Sequence, residues 1–354
     1  RTQAPILALL EARGVEHRSF WIANMIQVRG DSRLLETLAR RADVRHVAAN
    51  PRIRMELPVL PAGAGSLEDQ VWGLGYTGRG VVVGGQDTGY QWDHPALIGR
   101  YRGWDGAAAS HDYNWHDAIH SGGGICGYDT TAPCDDNGHG THTLGTAVGD
   151  DGGVNRIGVA PGARWIGCRN MDQGVGTPAT YAECFQWFVA PTDLEGANPD
   201  PALAPDVMNN SWACPPSEGC SPLVLQTVVE NTVAAGIVVV VSAGNSGSDC
   251  FTVDDPPAIY AASLTVGATT SLDGIASFSS RGPVTVDGSG RRKPDACAPG
   301  VLVRSSYPVN TYATMSGTSM AAPHVAGLVA LILEARPDFR GDVEEIRSLV
   351  ELSA

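Results

Sequence analysis

Gly317-Thr318-Ser319-Met320-Ala321-Ala322-Pro323-His324-Val325-Ala326-Gly327 is the stretch on which the reading of this chain turns. It sets Ser319 among small residues at the mouth of an apolar run, Val325 to Leu333, which reads as a buried helix. A serine at a helix N-terminus meets unpaired backbone N–H groups and the positive end of the helix dipole, a setting that favours a developing anion. Pro323 is read within the first turn, where the missing N–H costs little. Alone, such a serine is an ordinary helix cap. Its meaning depends on three other segments.

Val81-Val82-Val83-Gly84-Gly85-Gln86-Asp87-Thr88-Gly89 reads as a buried strand that delivers Asp87 to its C-terminal edge, where sites collect in open α/β sheets. Asp136-Asn137-Gly138-His139-Gly140-Thr141-His142-Thr143 reads as a loop entering a short helix. Ile237 to Ser242 is a second buried strand, and it ends by presenting Asn245 between Gly244 and Ser246. Each has an everyday reading: Asp87 as a strand-end turn residue, Asn245 as a turn former, and His142, His324 and His94 as packing histidines. Together they supply the parts of acyl transfer. A serine hydroxyl is too weakly acidic to attack unaided, so His139 would take its proton, Asp87 would hold the imidazole, and Asn245 with the Ser319 N–H would donate to the oxyanion.

These four segments, in the order Asp, His, Asn, Ser, closely resemble the subtilisin-like serine proteases, the subtilases. The resemblance covers about Val71 to Ala354 and implies a secreted serine endopeptidase. The implied fold is α/β, a subtilisin-like three-layer domain with a mostly parallel central sheet. It also implies that the substrate lies as an extended strand between Gly174-Val175-Gly176 and Ser211-Trp212-Ala213, with Ala243 and Gly244 in the wall of the main specificity pocket. Trp212 reads equally as a subsite wall or as a core aromatic. The family pattern puts Asp255 of Asp254-Asp255-Pro256-Pro257 near the pocket floor, where an acid would favour Arg or Lys before the cut; the other reading is an acidic turn before two prolines. An α/β-hydrolase esterase is the rival enzyme, disfavoured by the triad order and by the absence of Gly-x-Ser-x-Gly. A latent peptide-binding module is the rival non-enzyme.

Residues 1–57 read as a separate unit with an α-β-β-α-β order: helix Ile6 to Gly14, strands within Arg18 to Val28, a helix opened by Asp31, then extended chain at Val44 to Val47 and Arg52 to Leu57. This looks like the small α+β, ferredoxin-like inhibitory propeptide of the family, lacking its first strand and expected to lie in the cleft of residues 71–354. Residues 58–70 would be the linker, opening with Pro58-Val59-Leu60-Pro61-Ala62-Gly63. The unit carries ten arginines against six acids in a chain of net charge −14, so a basic segment faces an acidic body.

That net charge argues against nucleic acid as a partner. No apolar run approaches the roughly 18 to 20 residues that cross a membrane, and any signal peptide would lie upstream of Arg1. The partners expected are protein or peptide substrates and the chain's own residues 1–57. Eight cysteines point to an oxidising compartment. Cys126 and Cys134 form a plausible pair, Cys214–Cys220 would close a short Pro-Pro loop, and Cys168, Cys184 and Cys297 read as buried thiols. The chemistry needs no cofactor. Structural calcium is common in the family; Ala96 stands where one frequent ligand would be, and Asp135-Asp136 and Asp150-Asp151 are the acids left to bind a cation or to stand solvated.

Overall fold

In the valine run Val238-Val239-Val240-Val241, Val238 and Val240 enter one apolar core while Val239 and Val241 enter another. A strand whose alternate side chains are both buried belongs to the middle of a sheet covered on two faces. That is its place in the computed structural model, which describes residues 2–54, 68–122 and 124–353.

The N-terminal unit runs α1 (Ala4–Ala12), β1 (His17–Phe20), β2 (Met25–Val28), α2 (Ser32–Ala39) and β3 (Ile53–Arg54). β1 and β2 form an antiparallel hairpin, and Leu10, Leu34 and Leu38 are the buried centre of a small core. The Asp31 carboxylate accepts from the Leu34 N–H at 2.9 Å, the cap expected of it. Val44 to Val47 forms no strand. Of the expected linker, 58–67 lies outside the described residues, as do 55–57; Glu68–Gly73 is helix α3, so positions 68–70 begin the body.

The body then runs β4 (Val82–Asp87), β5 (Trp115–Asp117), α4 (His139–Val148), β6 (Arg164–Arg169), β7 (Met171–Asp172), β8 (Val175–Gly176), α5 (Pro178–Val189), β9 (Val207–Asn210), α6 (Gln226–Ala234), β10 (Val238–Ser242), β11 (Leu264–Thr269), β12 (Ala296–Pro299), the hairpin β13 (Val303–Tyr307) and β14 (Thr311–Met315), α7 (Thr318–Ala335) and α8 (Val343–Ser353). Seven strands form one parallel sheet, ordered β12-β11-β10-β9-β4-β6-β5. Side chains of α4, α7 and α8 fill one core and those of α5 and α6 the other. The chain winds from β4 toward β5 and β6, then returns across β4 to β9 and onward. Such a reversal opens a crevice at the C-terminal strand ends. Asp87, Ser211 and Asn245 all lie at those ends or just beyond them.

α7 is 18 residues long and apolar enough to match a membrane span, longer than the apolar run counted in the sequence; 72% of it is buried in the protein, as befits a core helix. Pro323 lies in its second turn rather than its first. The missing N–H is therefore one that would have bonded the carbonyl of Ser319, four residues back.

Three disulfides close: Cys126–Cys134, Cys214–Cys220 and Cys168–Cys184. The last overturns the reading of Cys168 and Cys184 as thiols. β6 carries Cys168 and the covering helix α5 carries Cys184, 16 residues on, so the disulfide pins the helix to the strand it covers. Cys297 is exposed rather than buried, and neither it nor Cys250 is in a disulfide.

Candidate active site

Asp87 is the last residue of β4 and is 1% exposed. One carboxylate oxygen accepts from the Thr88 N–H at 2.7 Å and faces Nδ1 of His139 at 2.7 Å; the other accepts from the Thr143 hydroxyl at 3.3 Å. His139 opens α4 from a left-handed Gly138 (φ +95°), where a Cβ would fall 2.4 Å from the Tyr307 ring. Its ring is fully buried, and Nε2 has no hydrogen-bond partner among the described residues. With Nδ1–H held by a carboxylate, Nε2 keeps its lone pair and can act as a base.

Ser319 lies in the first turn of α7 and is 4% exposed. Its hydroxyl donates to the Ser211 carbonyl at 3.1 Å rather than to His139. The Ser211 hydroxyl in turn donates to the Ser319 carbonyl at 2.9 Å and accepts from the Asn209 side chain at 2.9 Å. Asn245 is tied to the same helix start: its side-chain oxygen accepts from the Thr318 N–H at 2.9 Å and the Thr318 hydroxyl at 3.0 Å. Fixing the amide oxygen leaves the NH2 as the outward, donating end. Gly244 (φ +101°) donates its N–H to the Thr318 hydroxyl at 3.2 Å, and Ala243 is buried where β10 ends.

His142, His94 and His324 each have a ring nitrogen against a backbone carbonyl. His142 is buried with Nε2 against the carbonyls of Val303 (3.0 Å) and Ala313 (3.1 Å), and burial, then repulsion between its imidazole and that of His139, pushes it down to about 3. His94 bonds the Thr311 carbonyl at 2.9 Å, and His324 Nδ1 lies 2.8 Å from the carbonyl of Met320.

Beside this group, β3 of the N-terminal unit is the edge strand of an antiparallel ribbon ordered β3-β8-β7. Ile53 pairs with Gly176 and Arg54 with Val175, in front of Gly174. A Cβ on Gly176 would meet the Tyr181 ring at 2.5 Å, so glycine is required where the strands approach. The Asn50 side chain accepts the Ala179 N–H, an early donor of α5, at 2.9 Å. Ile53 is buried in the same core as Trp212, which stacks on Tyr181 at 3.8 Å and is 3% exposed. No backbone hydrogen bond joins residues 211–213 to residues 50–54 among the described residues. From the Cys214–Cys220 loop it is the Glu218 carboxylate that accepts the Arg54 N–H, at 2.9 Å.

Asp255 is brought to the edge of that same loop: the Cys214 N–H donates to the Pro256 carbonyl at 2.7 Å. Burial, then the charges of Asp254 and Glu218, push its carboxyl up to about 7. A second contact joins the units. Arg18 of β1 forms a two-pronged ion pair with buried Glu183 of α5, which also faces His116 Nε2 at 2.7 Å and His120 Nε2 at 3.0 Å. Sequence reading named neither Glu218 nor this cluster, because nothing in spacing links partners some 165 positions apart.

Among the described residues no group of three or more His, Cys, Asp or Glu side chains is arranged to hold a metal ion. The acids considered for calcium are engaged within the protein. Asp135 takes donors from Thr88, Gly138 and Thr141, Asp136 pairs with Arg169, Asp150 with Arg100, and Asp151 with Asn155.

Residues 78–354 match the sequence profile described as "Subtilase family". The chain belongs to the subtilases. This subtilase is 36% identical to Bacillopeptidase F of Bacillus subtilis (strain 168) over 95% of its length, and spans about a quarter of that relative (24%). It is 34% identical to serine protease AprX of the same organism, covering 90% of this chain and 71% of the relative. Against subtilisin E the identity is 29%, over 97% and 79%. A solved "cold adapted subtilisin-like serine proteinase" superposes with a TM-score of 0.57 at 27% identity, covering 78% of this chain and 82% of that one. Its family makes the subtilase a serine endopeptidase with a subtilisin-like fold, in a class that needs no cofactor for catalysis.

Proposed function

We propose that this subtilase cleaves peptide bonds with Asp87, His139 and Ser319, and that Asn245 and the Ser319 N–H stabilise the oxyanion. The observation that carries the reading is the state of His139: Nδ1 is held at 2.7 Å by Asp87 while the buried Nε2 has no partner among the described residues. An imidazole held on one nitrogen by a carboxylate and open on the other is oriented to take a proton. In the reaction the Ser319 hydroxyl gives up the Ser211 carbonyl and takes His139 as its acceptor. Ser319 then attacks the scissile carbonyl while His139 takes the proton and Asp87 stabilises the imidazolium. Charge gathers on the carbonyl oxygen, which Asn245 and the start of α7 meet with donors. Collapse expels the amine, protonated by His139, and water releases the acyl group by the same steps in reverse.

Residues 1–57 act in this reading as an inhibitory propeptide, with Ile53–Arg54 lying along β8 where a substrate strand would lie. The enzyme is secreted as a zymogen, in keeping with its three disulfides. Asp255, a raised carboxyl with no cationic partner among the described residues, gives the pocket a preference for Arg or Lys before the cut. The test is the intact mass of the protein beside a Ser319→Ala variant. Cleavage near residues 52–69 in the parent alone supports a self-processing triad. Persistence of both chains uncut, with no turnover of added protein, sinks the reading.

A further inference from the structure

An edge strand exposes N–H and C=O groups that its partner strand does not take, and these are free to bind a further acceptor. In the ribbon β3-β8-β7, the Arg54 N–H is met by the Oε2 of Glu218 at 2.9 Å. Glu218 is held for this by its loop: Pro215, Pro216 and the Cys214–Cys220 disulfide stiffen it, and Gly219 turns it through φ +92°. A Cβ at Gly219 would lie 3.7 Å from Pro51, so the loop runs alongside the strand in the cleft. The same Glu218 carboxylate lies near enough to Asp255 to add to the rise of that group.

We propose that Glu218 is a substrate-binding residue of this protease. It accepts the backbone N–H of whichever substrate residue pairs with Val175, the place Arg54 fills here. The inference rests on the endopeptidase reading above. A charge-assisted bond to the main chain fixes the register of the bound strand without regard to side chain.

The test moves an N-methyl group, one position at a time, along a synthetic peptide of residues 48–63 offered as substrate. Wild type and Glu218→Ala are compared for Ser319-dependent cleavage. Methylation at Arg54 raises KM about tenfold or more in wild type. Glu218→Ala raises KM similarly and no longer responds to that methyl group, whereas Glu218→Gln, which keeps an acceptor oxygen but loses the charge, falls between the two and still responds. An Arg54 methyl effect equal in wild type and Glu218→Ala, or absent from both, overturns the proposal. If no Ser319-dependent cleavage is seen at all, the endopeptidase reading fails by itself. Glu218 is then judged by amide exchange at Arg54 in the intact Ser319→Ala chain: faster exchange with Glu218→Ala supports the bond, and unchanged exchange rejects it.

Discussion

Ser319 and Ser211 exchange hydrogen bonds, each hydroxyl donating to the other's backbone carbonyl, at 3.1 and 2.9 Å. The second bond replaces one that α7 cannot make, because residue 323, which would serve the Ser319 carbonyl, is proline. Ser211→Ala leaves that buried carbonyl unserved and lowers stability by about 1–3 kcal/mol. Pro323→Ala restores an N–H in the helix. In the double variant part of the loss returns, and denaturant unfolding of all four proteins reads the coupling. Simple additivity contradicts this account.

Asn245 is expected to act on the transition state alone. Asn245→Ala lowers kcat by about 10²–10³ with little change in KM, measured with a peptide substrate. A matching rise in KM would instead make Asn245 a ground-state binder.

In the proposed pocket, Asp255 is expected to link specificity to pH. Its carboxyl is raised to about 7 in the folded protein from the usual 3.8, so it stays largely neutral below that value and ionises above it. A cationic substrate side chain therefore gains as pH rises through about 7, while an apolar one does not. The ratio of kcat/KM for paired Arg and Leu peptides removes the shared acid–base steps. It climbs several-fold between pH 6 and 8.5 and is flat in Asp255→Asn. A flat ratio in wild type removes Asp255 from the pocket.

Arg18 should matter most in alkali. Burial raises the Glu183 carboxyl, but hydrogen bonds from His116 and His120 and the Arg18 charge outweigh it and hold it down at about 2. That stabilisation is present above the ordinary carboxylate range and is lost as pH falls toward 2. His120 is raised, first by its bond to Glu183. It therefore stabilises the fold while protonated and ceases to as pH rises through its folded value. Above that point Arg18 is the lasting cation. The Tm loss of Arg18→Ala in a Ser319→Ala background is expected to be small at pH 6 and larger at pH 9. An equal loss at both contradicts the sharing of Glu183.

What was legible in the sequence was local. Val81 to Asp87 and Ile237 to Ser242 announce buried strands by composition, Asp31 announces its helix, and the segments around His139 and Ser319 declare a helix start each. What stayed hidden depends on chain folding over distance. Cys168 and Cys184 look like isolated apolar cysteines until a helix is laid on a strand. Pro323 looked harmless because the true start of α7, at Thr318, puts it one turn deeper than the apolar run suggests. Glu218 is an ordinary loop acid until the neighbouring strand needs an acceptor.

The ribbon of β7 and β8 is two short strands with a third place beside it, filled here by the chain's own residues. Whatever takes that place must arrive fully extended over several residues, because it is held through its backbone. A compact substrate cannot offer such a stretch unless it locally unravels. With substrate bound as proposed, the rate at which a folded protein is cut is governed as much by the opening free energy of its own loops as by their side chains.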